Sequence, residues 1–345
     1  MITIIFFALY TFIITRHVPL ETVLVSYKIS SLEATFPAAS QASLLPFTLG
    51  TRFGYFDKEH TFSINQERRG AVILSDKYWA DFSATPEIIE IKNPTNQTIC
   101  TIPNENGYPF FLDNRIFLLG KEQTDISAFN TDGTKAWTHS FAAPITTVDA
   151  KNGWMAVGLL DGIVEVLNDR GEQKFFFEPG GSRIPGIYGC ALSQDASQLV
   201  IISGLDEQRF LVLNWVGNTY QVQYNAFLSG EYRREIYCDF IDNDNYIIFE
   251  HVDGLALYNI AAHSMNIIPL NGALHAVTEE PQEDLLFLIT AREKDFKTFV
   301  MIQLPEGHIL EEAPFNSSVA FLDCQESRLF IGGEQVLASL DIKKL

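Results

Sequence analysis

The 345-residue sequence predicts an all-β protein: a seven-bladed β-propeller closed by an N-terminal strand and preceded by an N-terminal hydrophobic segment. Three observations predict this fold. Short runs of β-branched and aromatic residues alternate with polar turns from about residue 52 onward. A similar turn recurs every 37 to 46 residues. No long amphipathic helical pattern follows residue 50.

The predicted strands are runs of four to six residues bounded by Gly, Asn and Asp. Examples are 71–74, 115–119, 154–158 and 198–202. A unit of about 40 to 45 residues with four short strands is typical of a propeller blade. A pair of β-sandwiches or an irregular double β-domain is the competing architecture, and a sandwich does not explain so regular a spacing.

The third strand of each unit is followed by a recognisable turn, and these turns give the blade count. They lie at 93–96, 130–133, 168–171, 214–217, 259–262, 304–307 and 341–344. Asn opens five of the seven, which we attribute to its tolerance of left-handed backbone. Seven turns predict seven blades.

The last unit stops at its third strand, and an open blade would leave an unpaired edge. We therefore expect a strand near residues 60–64 to complete the seventh blade, so that both chain ends close the ring.

The chain divides into three predicted parts. Residues 1–16 are a signal peptide or membrane anchor, 17–51 a tether or irregular segment, and 52–345 the propeller. The first 15 residues are nearly all apolar, but a helix of that length spans only about 22 Å of a hydrocarbon core of about 30 Å. A buried strand is therefore a third interpretation of this segment. The first two predict a membrane-anchored, extracytoplasmic domain (periplasmic in a bacterium) or a secreted protein.

The repeat unit has an Asp-Gly turn before its third strand and an Asn-x-x-Gly turn after it. This pattern resembles the WD40-like and PQQ-like (quinoprotein-type) propeller repeats. The resemblance covers about residues 52–345. The Trp-Asp and Gly-His pairs of WD40 repeats are missing, and the repeat-end tryptophan of quinoprotein propellers occurs once, at Trp137. The resemblance implies the architecture and, for the quinoprotein-type version, a scaffold in envelope assembly.

Charge excludes one class of function and singles out one sector. The formal net charge of −19 argues against nucleic-acid binding, which needs a basic surface. Between Lys174 and Lys294 every cation is an arginine. The fixed guanidinium fork suits bidentate binding of carboxylate or phosphate better than lysine does.

Propeller topology places three of these arginine-bearing loops on one face, about predicted blades three to five. A glycine pair there offers backbone to an anion. We therefore predict a binding site for an anionic ligand or an acidic protein partner. The alternative is that neighbouring carboxylates pair with all four arginines. The predicted binding residues are Arg183, Arg209, Arg233, Arg234, Gly180 and Gly181.

No motif predicts catalysis, a metal or a cofactor. The seven histidines are scattered without ligand spacing, and neither a nucleophile elbow nor a phosphate-binding loop occurs. We therefore expect a non-catalytic scaffold for protein–protein interaction that reaches the membrane through its N-terminal segment. The alternatives are a propeller enzyme (a quinone-dependent dehydrogenase, hydrolase or lyase) and a cytosolic WD40-like scaffold.

Overall fold

The computed structural model describes residues 22–33, 43–68, 70–82, 87–105, 107–334 and 336–344. Among these, no helix has the length and apolarity needed to cross a bilayer. The predicted signal peptide or anchor, 1–16, lies outside the described residues.

The described strands form eight antiparallel sheets, the blades of a ring, so the predicted count of seven is wrong. Blade 1 has three strands, and blades 2 to 4 have four each. Their bounds are β2 Leu45–Leu49, β3 Arg52–Phe56 and β4 Phe62–Glu67; β5 Ala71–Leu74, β6 Trp79–Phe82, β7 Ile88–Lys92 and β8 Thr98–Pro103; β9 Tyr108–Leu112, β10 Arg115–Leu119, β11 Asp125–Phe129 and β12 Lys135–Ser140; β13 Ile145–Lys151, β14 Trp154–Leu159, β15 Val164–Leu167 and β16 Gln173–Phe177.

Blades 5 to 8 have four strands each, and blade 8 takes its outermost strand, β1 Thr22–Ser31, from the N-terminal part of the chain. A short 3-10 turn, Pro281–Glu283, interrupts blade 7. The remaining bounds are β17 Ile187–Leu192, β18 Gln198–Ser203, β19 Arg209–Val216 and β20 Thr219–Phe227; β21 Cys238–Ile241, β22 Tyr246–His251, β23 Gly254–Asn259 and β24 Ser264–Pro269; β25 Ala273–Glu280, β26 Leu285–Glu293, β27 Phe296–Gln303 and β28 His308–Asn316; β29 Ala320–Gln325, β30 Arg328–Gly333 and β31 Val336–Lys344.

The blade missed in the count is blade 1, and its shape explains the error. It ends at β4 without a fourth strand, so it contains no turn of the kind that was counted. Residues 60–64, expected to close the ring, instead lie in and just before β4, the third strand of this blade.

Ring closure does use an N-terminal strand, but a different one from the strand expected. β1 pairs antiparallel with β31 from Thr22 opposite Lys344 to Ser31 opposite Val336. Both β1 and β2 come from segment 17–51, which we expected to be irregular. The polar residues of this segment suggested irregular structure. In β1 they reflect its position as an outermost strand, in which six of ten residues are exposed.

The core is distributed around the ring rather than gathered in one place. Eight clusters of buried apolar residues each join one blade to the next, and the cluster around Phe47, Phe56 and Phe330 joins blade 8 to blade 1. Because every blade buries both faces against its neighbours, the ring is closed by packing as well as by strand pairing.

Asparagine binds turn amides through its side chain at three of the five turns that it opens. Asn168 Oδ1 accepts hydrogen bonds from the backbone N–H of Arg170 and Glu172, at 3.0 and 2.9 Å, and Gly171 takes the positive φ of 73°. Asn93 accepts from Thr95 and Gln97 in the same way, and Asn259 accepts from Ala262. At these turns asparagine acts by binding amides and not by adopting left-handed backbone.

Candidate functional site

The predicted site residues lie on one face of the ring. We call it the connection face, because it carries the connections between blades and the turns between second and third strands. Gly180, Gly181 and Arg183 follow β16, Arg209 begins β19, and the Arg233–Arg234 pair precedes β21. With the extra blade counted, this sector comprises blades 4 to 6 instead of three to five.

Arg183 is almost fully exposed yet has one acidic partner. Its Nε donates to Asp206 Oδ2 at 2.9 Å, and its side chain is 91% exposed. Ser182 Oγ also donates to Asp206. The hydrogen bonds from Ser182 and Arg183 hold the pKa of Asp206 well below its usual range, so this carboxylate stays ionised.

Arg209 binds carbonyl groups. Its Nη1 donates to Pro179 O at 3.2 Å and Gly180 O at 3.1 Å, and its guanidinium lies 4.8 Å from the ring centre of Phe227. Gly181 has φ +84°, and a Cβ there would lie 2.6 Å from Arg209 Nη1, so only glycine fits. Arg209 therefore fixes the loop that contains the predicted glycine pair.

Arg233 and Arg234 behave differently from each other. Arg234 makes a bidentate pair with Glu250, with both N–O distances 2.8 Å, and stacks on Tyr232 at 4.6 Å. Arg233 is 75% exposed and contacts Glu231 at 3.2 Å. Arg234 is thus fixed within the fold, whereas Arg233 extends into solvent.

A buried side chain joins the β18–β19 turn to the connection that carries Arg233 and Arg234. Gln208 is 3% exposed. It donates to Gly204 O and Tyr232 O and accepts from the Tyr232 N–H. The structure therefore places the predicted residues in two adjacent groups, Arg183 with Arg209 and Arg233 with Arg234. Whether they bind an anion stays a prediction.

A cavity of about 260 Å³ opens beside the first group, between blades 4 and 5. Gly180, Ser182, Arg183 and Ser203 are among the residues that line it. Ser203 is 4% exposed, and its Oγ is buried without a hydrogen-bond partner. Nothing in the sequence pointed to Ser203, because a serine that ends a buried strand is common.

Large apolar side chains are exposed on and beside the same sector, and sequence reasoning did not find them. They are Leu160 and Ile184, each 50% exposed, Phe176 at 54%, Phe227 at 61% and Val252 at 42%.

The inner strands carry a second feature that the sequence did not reveal. Asp149 and Asp239 line a cavity of about 440 Å³. Burial raises the pKa of both, that of Asp239 to about 6. Each accepts the N–H of its following residue, at 2.8 and 2.9 Å, as Asp323 does in blade 8. An innermost strand has no further neighbour, so these carboxylates satisfy amides that would otherwise face the channel.

Other candidate chemistry is sparse in the part of the chain that the structure describes. No group of three or more His, Cys, Asp or Glu residues there has an arrangement that could hold a metal ion. The four cysteines are all free, and burial raises the pKa of the Cys190 thiol to about 12.

Comparisons with known proteins agree on the architecture. An uncharacterized protein of Treponema pallidum (strain Nichols) is 25% identical over 300 residues, which cover 87% of this chain and 79% of the relative. BamB from Moraxella catarrhalis has a TM-score of 0.62 at 11% identity, covering 92% of this chain and all of that one. The computationally designed Ika8 protein gives 0.65 at 14% identity, covering 94% and 98%.

A chain from the crystal structure of the Mitotic Checkpoint Complex gives a TM-score of 0.57 at 10% identity, covering 90% of this chain and 99% of that one. Identities this low show the fold alone. A family model described as "beta-propeller protein" matches residues 1–345. The chain therefore belongs to this β-propeller family, in agreement with the propeller architecture that its repeats predicted.

Proposed function

We propose that this protein is a non-catalytic scaffold that binds a protein partner through the connection face of blades 4 to 6. The observation that carries the proposal is the group of exposed apolar side chains there, interspersed with exposed arginines. We call this set the docking surface. It consists of Leu160, Phe176, Ile184, Phe227, Val252, Arg183 and Arg233.

The composition of the docking surface is that of a protein interface. Aromatic residues and arginine are enriched in interfaces, where they supply large contact area and directional hydrogen bonds. Single exposed apolar residues are common on any surface, but five on three successive blades favour a binding role.

The surface is presented by rigid structure. Gln208 fastens the β18–β19 turn to the connection between blades 5 and 6. The β14–β15 turn packs on the connection between blades 4 and 5, where a Cβ at Gly162 would lie 2.5 Å from Pro185. A partner would therefore meet a surface that loses little conformational entropy on binding.

The cellular setting is part of the proposal and rests on the sequence. The apolar residues 1–15 support a domain anchored at, or exported across, a membrane. A role in envelope assembly rests on the resemblance of the repeats to quinoprotein-type propellers. If the full chain is recovered in the cytosolic fraction of cells, the protein is a cytosolic scaffold instead.

Affinity capture from native cells tests the proposal, with Leu160→Asp plus Ile184→Asp as the disrupting variant. Ile29→Asp is the matched control, because Ile29 is 69% exposed on β1, in blade 8. We expect the captured partner to be lost with the double variant and retained with the control. Equal capture by all three proteins, each folded by circular dichroism, would refute the docking surface.

An enzymatic role keeps one observation in its favour, namely Asp149 and Asp239 in a cavity with raised pKa values. The amide hydrogen bonds that both carboxylates accept supply a structural reason for their position. Turnover in dehydrogenase, hydrolase or lyase assays that disappears in Asp239→Asn would favour the enzyme over the scaffold.

A further inference from the structure

The cavity between blades 4 and 5 contains hydrogen-bond donors that the fold does not use. Ser203 Oγ has no partner, although a buried hydroxyl without a hydrogen bond is costly. The backbone N–H of Gly180, an exposed residue that also lines the cavity, donates to no group within the described residues. A buried hydroxyl without a partner is uncommon, and a ligand in the cavity would supply one.

Arg183 adds a charged donor at the rim. Its Nε is engaged by Asp206, whereas its two Nη groups have no partner among the residues that the structure describes. A guanidinium can bind a second carboxylate through its Nη groups while Nε keeps the first. The two Nη groups of Arg183 are therefore available to bind a ligand.

Charge around the cavity is balanced before any ligand binds. Arg183 and Glu178 are the charged side chains in its lining, and Glu178 is exposed. Arg183 pairs with Asp206. Arg209, beside the cavity, is hydrogen-bonded to carbonyl groups instead of a carboxylate, so its positive charge offsets Glu178. A carboxylate here would therefore be held by hydrogen bonds to the free Nη groups of Arg183 instead of by an excess of positive charge.

We propose that this cavity binds a carboxylate group of the partner polypeptide, held by Ser203 Oγ, Arg183 Nη and the Gly180 amide. The proposal rests on the docking surface and adds the chemistry of its anchor. The volume of about 260 Å³ suits one terminal residue or one acidic side chain. Ile184 is adjacent in sequence to the lining residue Arg183, and Leu160 lies two residues before the lining residue Gly162. Both exposed side chains supply apolar contact around the anchor.

Small carboxylates of defined structure test the anchor without knowledge of the partner. N-acetylalanine carries a terminal carboxylate, and N-acetylglutamate α-methylamide carries a side-chain carboxylate. N-acetylalaninamide and N-acetylglutamine α-methylamide are their neutral counterparts. We expect millimolar affinity for at least one carboxylate, because one charged group with a few hydrogen bonds gives a Kd of about 1 mM.

The readout is the amide NMR spectrum of the full chain. We expect shifts at Gly180, Gly181 and Gly204 with a carboxylate and none with its neutral counterpart. The probe that binds more tightly identifies the source as a chain terminus or an acidic side chain. No shift at saturating probe, or the same shifts with the neutral probes, would overturn the proposal.

Variants assign the binding to named groups. Ser203→Ala should weaken binding about three- to tenfold, and Arg183→Gln about tenfold or more. Glu178→Gln should tighten binding about twofold, because it removes a repelling charge. Arg292→Gln is the control, since Arg292 is an exposed arginine of blade 7 that does not line this cavity. Equal weakening by Arg183→Gln and Arg292→Gln would mean non-specific attraction and would refute the site.

Ser203→Ala also separates a ligand-binding role from a structural one. A hydroxyl without a partner in the fold contributes nothing to stability, so the melting temperature should stay the same or rise. A large fall in melting temperature would show a structural role.

The anchor and the scaffold can fail separately. If Leu160→Asp plus Ile184→Asp loses the captured partner but the unaltered protein binds no carboxylate probe, the anchor alone is refuted. Carboxylate binding without any captured partner would leave the anchor standing and refute the scaffold.

Discussion

The closing junction of the ring and the cavity between blades 4 and 5 use arginine in opposite ways. At the junction, Arg328 lies 3.7 Å from the ring centre of Tyr27 and donates to Asp341 at 2.8 Å and Lys58 O at 3.0 Å, with its side chain only 17% exposed. At the cavity, Arg183 is 91% exposed with one acidic partner. The comparison teaches that a guanidinium fixes the fold where its donors are used up and remains available for binding where they are not.

Buried polar atoms show the same contrast. His60 at the junction is 1% exposed, with Nδ1 2.9 Å from Ser30 Oγ, and its ring packs against Phe56 and Phe330. Its Nε2 has no partner, but the surroundings are apolar. Ser203, by contrast, lines an open cavity. An unpartnered atom indicates a ligand only where there is room and complementary chemistry.

The largest expected effect follows from deleting β1, residues 22–31. The deletion removes the strand that pairs with β31 and exposes the open edge of blade 8, so we expect the free energy of unfolding to fall by about 4 kcal/mol or more. Chemical denaturation measures it. Ile29→Thr, an exposed change on the same strand, should alter stability by less than about 0.5 kcal/mol. An unchanged unfolding midpoint after deletion would mean that β1 does not hold the ring closed.

The two arginines should differ by several-fold in their effect on stability. Arg328→Ala removes a half-buried network and should lower the free energy of unfolding by about 2 kcal/mol. Arg183→Ala should change it by less than about 0.5 kcal/mol, because its ion pair is exposed. Thermal and urea unfolding of both variants measure the difference, and similar losses would contradict the contrast between the two regions.

His60 should make the junction acid-sensitive. Burial lowers its pKa from 6.5 to about 4, so the folded state favours the neutral ring. The stability that this contributes is present above pH 6.5 and is lost as the pH falls toward 4. His60→Asn, a residue that tolerates the φ of 57°, should flatten the dependence of the unfolding free energy on pH in that window. An unaltered slope would show that His60 is not the group responsible.

Asp239 should show the opposite dependence on pH to His60. Burial raises its pKa to about 6, so its contribution to stability is present at low pH and is lost as the pH rises through 6. Asp239→Asn keeps an acceptor for the Phe240 N–H and removes the buried charge. We expect the variant to gain stability at pH 8 and to lose that advantage near pH 4, as measured by urea unfolding at both pH values. A gain that is equal at both pH values would exclude titration of Asp239 as its cause.

The sequence predicted the repeat and the need for a closing N-terminal strand, because strand alternation and turn chemistry are local. It did not predict the blade number, since blade 1 lacks the turn by which the others were recognised. It placed Gly180, Gly181 and the four arginines on one face through topology. It did not show that Glu250 fixes Arg234 or that Ser203 lacks a partner, because those facts depend on contacts between strands distant in sequence.

Site-specific photocrosslinking in native cells tests the docking surface most directly. A photoreactive benzoylphenylalanine at position 184 reports on the docking surface, and the same group at position 29 reports on the closing blade, since both native side chains are exposed. We predict a discrete protein adduct at position 184 that weakens with Arg183→Gln, and no such adduct at position 29. Equal adducts at the two positions, or an adduct only at position 29, would contradict the account.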